Sequence, residues 1–123
     1  MDAAIAAGVM LTLVEPYASG IGGGGFLLYH EKKSGRTLAY DGRETAPLSV
    51  RPDLFLKKNG QPETFEDAMA GGRAVGVPGL VAMFEMAHQA HGKARWYELW
   101  RLAAEQAKAG YKVTAQQSRL VEE

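Results

Sequence analysis

Residues 19–47 read SGIGGGGFLLYHEKKSGRTLAYDGRETAP, and this stretch decides the fold of the chain. Two apolar runs, residues 26–29 (FLLY) and 37–40 (TLAY), lie on either side of a Ser-Gly turn, which is the spacing of a hairpin connection. The first run is continuously apolar, which is typical of a strand covered on both faces. The sequence therefore predicts a buried β-hairpin whose second strand ends at Asp41.

Arg43 follows the predicted hairpin and is the candidate ligand-binding residue. Its guanidinium is a planar fork of donors that matches a carboxylate, and the glycine before it and Thr45 after it leave room for a ligand. The alternative is an ordinary surface arginine that pairs with Asp41 or Glu44. Glu44 could orient Arg43, meet a ligand ammonium or remain a solvated carboxylate. Arg73 has a similar setting, but such a residue more often only packs its stem.

Four consecutive glycines, residues 22–25, open the hairpin. Together with Gly20 they satisfy the G-x-G-x-x-G pattern, but a dinucleotide fingerprint needs a strand before the glycines and a helix after them. Here a helical stretch precedes the glycines and a strand follows, and no Lys-Ser or Lys-Thr completes a P-loop. We interpret most of these glycines as a tight turn that lets a helix pack closely on the sheet.

The composition is that of one ordinary domain and excludes several function classes. The chain has 123 residues, 46% of them hydrophobic, and its 14 basic residues balance 14 acidic ones. A neutral chain gives no electrostatic argument for nucleic acid or for an anionic membrane surface. The lack of cysteine excludes disulfides and thiolate chemistry, and none of the 3 histidines has a metal-ligand spacing.

Helical patterns account for most of the chain outside the hairpin. The first, residues 3–14, has Asp2 as its predicted cap and is apolar on every side, so we expect it to be buried all round. It is too short to span a bilayer and lacks the basic segment of a signal peptide. Capping boxes at Thr64 and Thr114 predict further helices, and residues 74–77 predict a short strand. Two longer helices are predicted from Pro78 to His91 and from Arg95 to Ala109, ended by Gly92 and Gly110.

The sequence contains no complete catalytic apparatus. No serine lies in a G-x-S-x-G nucleophile elbow, and no serine or threonine starts the chain, where its own amine could act as the base. His30, His88 and His91 have no acidic partner in pattern and are interpreted as structural. We therefore assign no catalytic residue to this chain.

Five motifs in series resemble the N-terminal part of the large subunit of the γ-glutamyltranspeptidase family. They are residues 2–6 (DAAIA), 15–16 (EP), 19–26 (SGIGGGGF), 41–47 (DGRETAP) and 72–79 (GRAVGVPG). The resemblance covers nearly the whole chain in the same order, and several motifs in series are far more specific than one glycine pattern.

This resemblance implies an N-terminal-nucleophile hydrolase, with an α+β fold that is part of an αββα sandwich: a central β-hairpin with several helices. The family implies a precursor that cuts itself into two subunits. The threonine freed at the start of the small subunit takes the γ-glutamyl group from glutathione or a related amide and passes it to an amino acid, a peptide or water. By resemblance, Arg43 binds the α-carboxylate of that group, no metal or organic cofactor is needed, and the enzyme is periplasmic or extracellular.

The threonine-led small subunit is absent from this sequence. We therefore expect residues 1–123 to be a single partial domain, truncated at both ends, incomplete without the small subunit and inactive by itself. Its expected partners are the small subunit of the same precursor and glutathione or another γ-glutamyl substrate, with no nucleic acid. Two alternatives remain open: a related acylase or amidohydrolase of the same superfamily, and a non-catalytic truncated remnant.

Overall fold

A two-stranded antiparallel hairpin forms where the sequence predicts it. In the computed structural model, which describes residues 1–122, strand β1 (Phe26–Glu31) pairs with strand β2 (Arg36–Asp41). The register places the first residue of β1 opposite the last residue of β2. Gly35 turns the chain with a φ of 70°, a conformation that glycine adopts without steric cost. The hairpin prediction is confirmed.

The prediction that the hairpin is buried on both faces is wrong within the described residues. Leu27 and Tyr40 pack against the core formed by the helices. Phe26 and Leu28 point to the opposite face, because successive residues of a strand alternate, and they are 69% and 75% exposed. The helices of this chain cover one face of the hairpin, and nothing in residues 1–122 covers the other.

The remaining regular structure is helical. Along residues 1–122 they are α1 (Asp2–Val14), α2 (Phe65–Met69), α3 (Leu80–His91), α4 (Trp96–Ala109) and α5 (Ala115–Glu122), with a 3₁₀ turn at Gly72–Ala74. The side chains of Thr64 and Thr114 accept hydrogen bonds from the backbone amides of Asp67 and Gln117, respectively, so both predicted caps are confirmed. None of these helices combines the length and the apolar character that crossing a membrane requires.

Asp2 joins two distant parts of the chain and does not cap α1 as predicted. The N-cap of α1 is Met1, and no side chain caps it. The Asp2 carboxylate instead accepts hydrogen bonds from the amides of Lys93 (3.0 Å) and Ala94 (2.8 Å), in the connection between α3 and α4. The Ala94 amide is the largest cause of a lowered pKa at Asp2, because both bonds favour the charged carboxylate.

The segment before α3 is less regular than predicted. Of residues 74–77, which were expected to form a strand, only the last pairs, in an isolated bridge with Thr45. The 3₁₀ turn takes up the start of this segment, which leaves too little extended chain for a strand. Pro78 does not begin α3 either, since Gly79 is the N-cap and donates its amide to the carbonyl of Gly23. A distant partner, not the proline, sets the start of α3.

The core lies where α1 packs on α3 and α4. Gly8 lets α1 and α3 approach closely, because a Cβ added at this position would lie 2.6 Å from Cζ of the Phe84 ring. Only Ile5 and Val9 of α1 are buried, and Leu11 is 49% exposed. The expectation that α1 is buried all round is therefore wrong within this chain. The buried core residues are Ile5, Val9, Leu80, Met83, Phe84, Ala87, Leu99 and Ala103.

The chain exposes more surface than a compact protein of its mass. Its accessible surface is 9261 Å², whereas a compact monomer of 13.3 kDa exposes about 6,500 Å². The excess is about 2,800 Å², and folding buries only about half of the surface of the extended chain, compared with about 60% for a 60-residue domain. An excess of this size is comparable to the area that a large protein–protein interface buries.

Candidate functional site

Arg43 and Glu44 lie just beyond the hairpin, on a segment that backbone hydrogen bonds hold at both ends. Before them, Gly25 and Gly42 exchange two bonds of 3.1 and 2.9 Å, one step past the last strand pair. After them, Thr45 exchanges two bonds of 3.3 and 2.8 Å with its partner in the isolated bridge. These two pairs of hydrogen bonds hold the backbone of Arg43 and Glu44 in place.

The guanidinium of Arg43 pairs with the carboxylate of Glu44. Nη1 donates to Oε2 at 2.7 Å, and the two side chains are 65% and 28% exposed. The Arg43 amide also donates to the Asp41 carboxylate at 2.9 Å. An exposed pair of this kind contributes only about 0–1 kcal/mol to stability. Nε and Nη2, which form one edge of the guanidinium, have no hydrogen-bond partner within residues 1–122, so this edge can take a carboxylate side-on.

Arg43 and Arg73 line one cleft of about 400 Å³. Arg73 does more than pack its stem: its two terminal nitrogens donate to the Glu63 carboxylate at 3.0 and 2.7 Å, and one also donates to the carbonyl of Leu54. The pairing with Glu63 raises the pKa of Arg73. Arg73 therefore holds the wall of the cleft, while Arg43 keeps free donors. The larger apolar residues that line this Arg43 cleft are Pro47, Val50, Leu54, Phe55 and Val75.

The glycine run brings the hairpin close to the Arg43 segment and to α3. A Cβ added at Gly24 would lie 2.5 Å from the carbonyl oxygen of Gly42, and one added at Gly42 would lie 2.6 Å from Cβ of Met83. The run stands between helix α1 and strand β1, which is the reverse of the order in a dinucleotide-binding motif. Within the run only Gly24 fits the interpretation that the glycines serve close packing. An added Cβ would meet nothing within 4 Å at Gly20 and Gly22, and its nearest contacts at Gly23 and Gly25 would be 3.3 and 3.5 Å, so the interpretation is wrong for most of the run.

The three histidines have partners outside the Arg43 cleft. His91 accepts or donates a hydrogen bond at 2.7 Å with the hydroxyl of Tyr40 and stacks on the ring of Tyr29. His30 and His88 bond to the Thr37 hydroxyl and to the Ala94 carbonyl. Among the described residues, no group of three histidine or carboxylate side chains is arranged to hold a metal ion.

Sequence reasoning missed two residues that shape the site. Glu63 pairs with Arg73 from the connection after the hairpin, and Gly76 lies against the side chain of Glu44. No local pattern distinguishes this glutamate from other surface carboxylates. Gly76 lies in the last of the five motifs quoted above, which was the only signal for it.

Comparison with known proteins decides the family. A sequence model of the family described as Gamma-glutamyltranspeptidase matches residues 1–123. This chain belongs to that family. It is similar to the glutathione hydrolase proenzyme of Bacillus subtilis subsp. natto, with 38% identity over 113 residues, 92% of this chain and 19% of that protein. The crystal structure of Helicobacter pylori gamma-glutamyltranspeptidase matches with a TM-score of 0.91 and 36% identity, over 98% of this chain and 34% of that one.

The resemblance seen in the sequence and the expected fold class are both confirmed. Gamma-glutamyltranspeptidase from Pseudomonas nitroreducens, in a structure complexed with L-DON, also matches, with a TM-score of 0.90 and 36% identity over 98% of this chain and 35% of that one. The helices and hairpin are therefore part of the α+β sandwich of N-terminal-nucleophile hydrolases. The chain spans about a fifth of the curated relative's length. The roles of Arg43 and Glu44 stay predictions.

Proposed function

We propose that residues 1–123 are a partial domain, a segment of the large subunit of a γ-glutamyltransferase or glutathione hydrolase. The full-length enzyme transfers the γ-glutamyl group of glutathione or a related amide to an amino acid, a peptide or water. The threonine nucleophile lies outside this chain, which is inactive alone. The observation that carries the proposal is Arg43, a residue that lines a cleft and whose guanidinium has one edge without a partner among the described residues.

In this proposal Arg43 binds the α-carboxylate of the γ-glutamyl group. Nε and Nη2 take the two carboxylate oxygens, while Nη1 keeps its bond to Glu44. The carboxylate carbon and the reacting γ-carbonyl carbon are four bonds apart, or roughly 5 Å in an extended chain. A fixed carboxylate therefore restricts where the scissile amide can lie, and orientation of this kind lowers the barrier to reaction. The Glu44 carboxylate is also the candidate partner of the ligand ammonium.

The proposal includes a partner and a location. The small subunit of the same precursor is the expected partner, and the excess surface of about 2,800 Å² supports a large protein interface. No metal or organic cofactor takes part in the proposed reaction. The placement in the periplasm or outside the cell rests on the family resemblance.

The test is the Arg43→Ala variant of the full-length protein that carries this segment. Two substrates are compared: γ-glutamyl-p-nitroanilide and 4-aminobutyryl-p-nitroanilide, which lacks only the α-carboxylate. We expect kcat/KM for the first to fall about 30-fold or more, the range for loss of one partner of a buried charge pair. For the second substrate, kcat/KM should fall about twofold at most, because this substrate has no carboxylate for Arg43 to bind. Arg43→Lys should fall between, since lysine keeps the charge without the planar fork.

Arg51→Ala is the matched control, because Arg51 also pairs with a nearby carboxylate, Asp53 at 3.1 Å, but is 80% exposed and outside the cleft. Arg51→Ala should leave kcat/KM unchanged for both substrates. Equal losses on the two substrates with Arg43→Ala would reject carboxylate recognition. Similar turnover of both substrates by the unmodified protein would favour the related acylase, and no turnover of any amide would favour the remnant.

A further inference from the structure

Two glycines enclose the side chain of Glu44. A Cβ added at Gly24 would lie 2.6 Å from Oε2 of Glu44 and 2.8 Å from its backbone nitrogen. A Cβ added at Gly76 would lie 2.9 Å from Cβ of Glu44. All three distances are shorter than real Cβ contacts, so neither glycine can be replaced without movement of its neighbour. We call this pair of glycines the Glu44 slot.

The Glu44 slot changes what the pair with Arg43 can do. A flexible surface pair is weak because holding two long side chains in one geometry costs conformational entropy. Here the glutamate is only 28% exposed and is held between backbone segments, so most of its freedom is already lost before the pair forms. The bond of 2.7 Å from Nη1 to Oε2 then fixes one corner of the guanidinium. The opposite edge is thereby preorganised for a ligand.

We propose that Gly24 and Gly76 are positioning residues that act through Glu44 to hold the Arg43 guanidinium in place. The slot therefore sets how strongly the Arg43 cleft prefers a ligand with a carboxylate. This inference rests on the proposed function, since it assumes that Arg43 binds a carboxylate, and it adds the residues that make this recognition selective.

Gly76 gives the cleaner test of the two. Gly24 also lies against the Gly42 carbonyl, at 2.5 Å from an added Cβ, so an alanine there would disturb the base of the hairpin as well. The atom nearest to an added Cβ at Gly76 is Cβ of Glu44, and the next is the carbonyl oxygen of Thr45 at 3.3 Å. Gly76→Ala therefore acts first on Glu44, and because a Cβ moves only with its backbone, it displaces the segment that carries Glu44 and Arg43.

The experiment measures substrate selectivity in the full-length protein. Selectivity is kcat/KM for γ-glutamyl-p-nitroanilide divided by kcat/KM for 4-aminobutyryl-p-nitroanilide. We expect Gly76→Ala to lower this ratio about tenfold, or 1.4 kcal/mol. Gly72→Ala is the control in the same loop, because an added Cβ there meets nothing within 4 Å, and its ratio should change less than about twofold. A merely structural role would lower both rate constants and the thermal midpoint without changing the ratio.

A double variant tests whether the effect passes through Glu44. Glu44→Gln should lower the ratio by itself, and adding Gly76→Ala should then lower it little further, because the two act on one pair. Full additivity would overturn the inference. If Gly76→Ala does not fold, Glu44→Asp replaces it: the slot is intact but the carboxylate is one methylene short of Arg43, and an unchanged ratio would overturn the inference.

Arg43→Ala separates failure of this inference from failure of the proposed function. A ratio that collapses with Arg43→Ala but not with Gly76→Ala rejects the slot and keeps Arg43 as the carboxylate ligand. A ratio that is unchanged with Arg43→Ala rejects both.

Discussion

Replacing Leu28 by threonine tests whether further protein covers the outer face of the hairpin. Leu28 is 75% exposed and lies beside Phe26, which is 69% exposed. With only a quarter of the leucine buried in this chain, the substitution removes about 0.5 kcal/mol of transfer free energy. If the remainder of a full-length protein covers this face, the loss becomes that of a buried leucine that is replaced by a smaller, polar side chain, about 2–3 kcal/mol. The two situations therefore differ several-fold.

The assay is thermal unfolding of the full-length protein. We expect Leu28→Thr to lower the unfolding midpoint by about 4–12 °C, at about 2–4 °C per kcal/mol for a cooperative unit of 150–250 residues. Leu27→Thr is the positive control, because Leu27 packs against the core within this chain. Sedimentation of the separate 123-residue chain provides a second measurement: the exposed face should drive self-association, and Leu28→Thr should reduce it.

An unchanged midpoint with Leu28→Thr, beside a clear decrease with Leu27→Thr, would show that solvent covers the outer face. The reasoning from excess surface would then be refuted for the hairpin. A separate chain that is monomeric and unfolds cooperatively, without binding a hydrophobic dye, would refute it for the whole segment.

Three further predictions concern the full-length protein. Ile5→Ala should lower the free energy of unfolding by about 2–5 kcal/mol, since Ile5 is 0% exposed. Asp2→Ala should reduce hydrogen-exchange protection of the Lys93 and Ala94 amides several-fold. In the unmodified protein, this protection should persist at pH values above the usual pKa of an aspartate. It should be lost as the pH falls through the lowered pKa of Asp2 in the folded protein. Arg73→Lys should speed proteolysis of residues 54–63, because lysine cannot reproduce the bidentate pair.

Each of these predictions has a matched control. Ile5→Val should lower the free energy of unfolding by only about 0.5–1.5 kcal/mol. If Ile5→Ala lowered it by no more than Ile5→Val does, full burial of Ile5 would be contradicted. Asp2→Asn keeps an acceptor oxygen but should abolish the pH dependence of protection, so a preserved dependence would assign it to another group. Glu63→Gln should speed proteolysis as Arg73→Lys does, and the double variant should add little; additive effects would show that the two residues act separately.

The hairpin and the helix caps could be predicted because their signals are local. The Ser34-Gly35 turn, the capping threonines and the glycine after α4 each act on a backbone group within about four residues. The prediction that Asp2 caps α1 fails for a related reason: a carboxylate at a helix start satisfies whichever amides approach it, and Lys93 and Ala94 approach from the far end of the chain. Residues 74–77 fail as a strand because a 3₁₀ turn occupies their start.

The sequence by itself determined the hairpin, the order of the helices, the family and the candidate Arg43. Tertiary structure alone decided which side of α1 is buried, because an apolar helix without a polar face has no preferred side until α4 packs on it. Tertiary structure also placed Glu44 between Gly24 and Gly76. Those glycines are about 20 residues before and about 30 after the glutamate, and contacts at such separations depend on how whole elements pack, which no local pattern encodes.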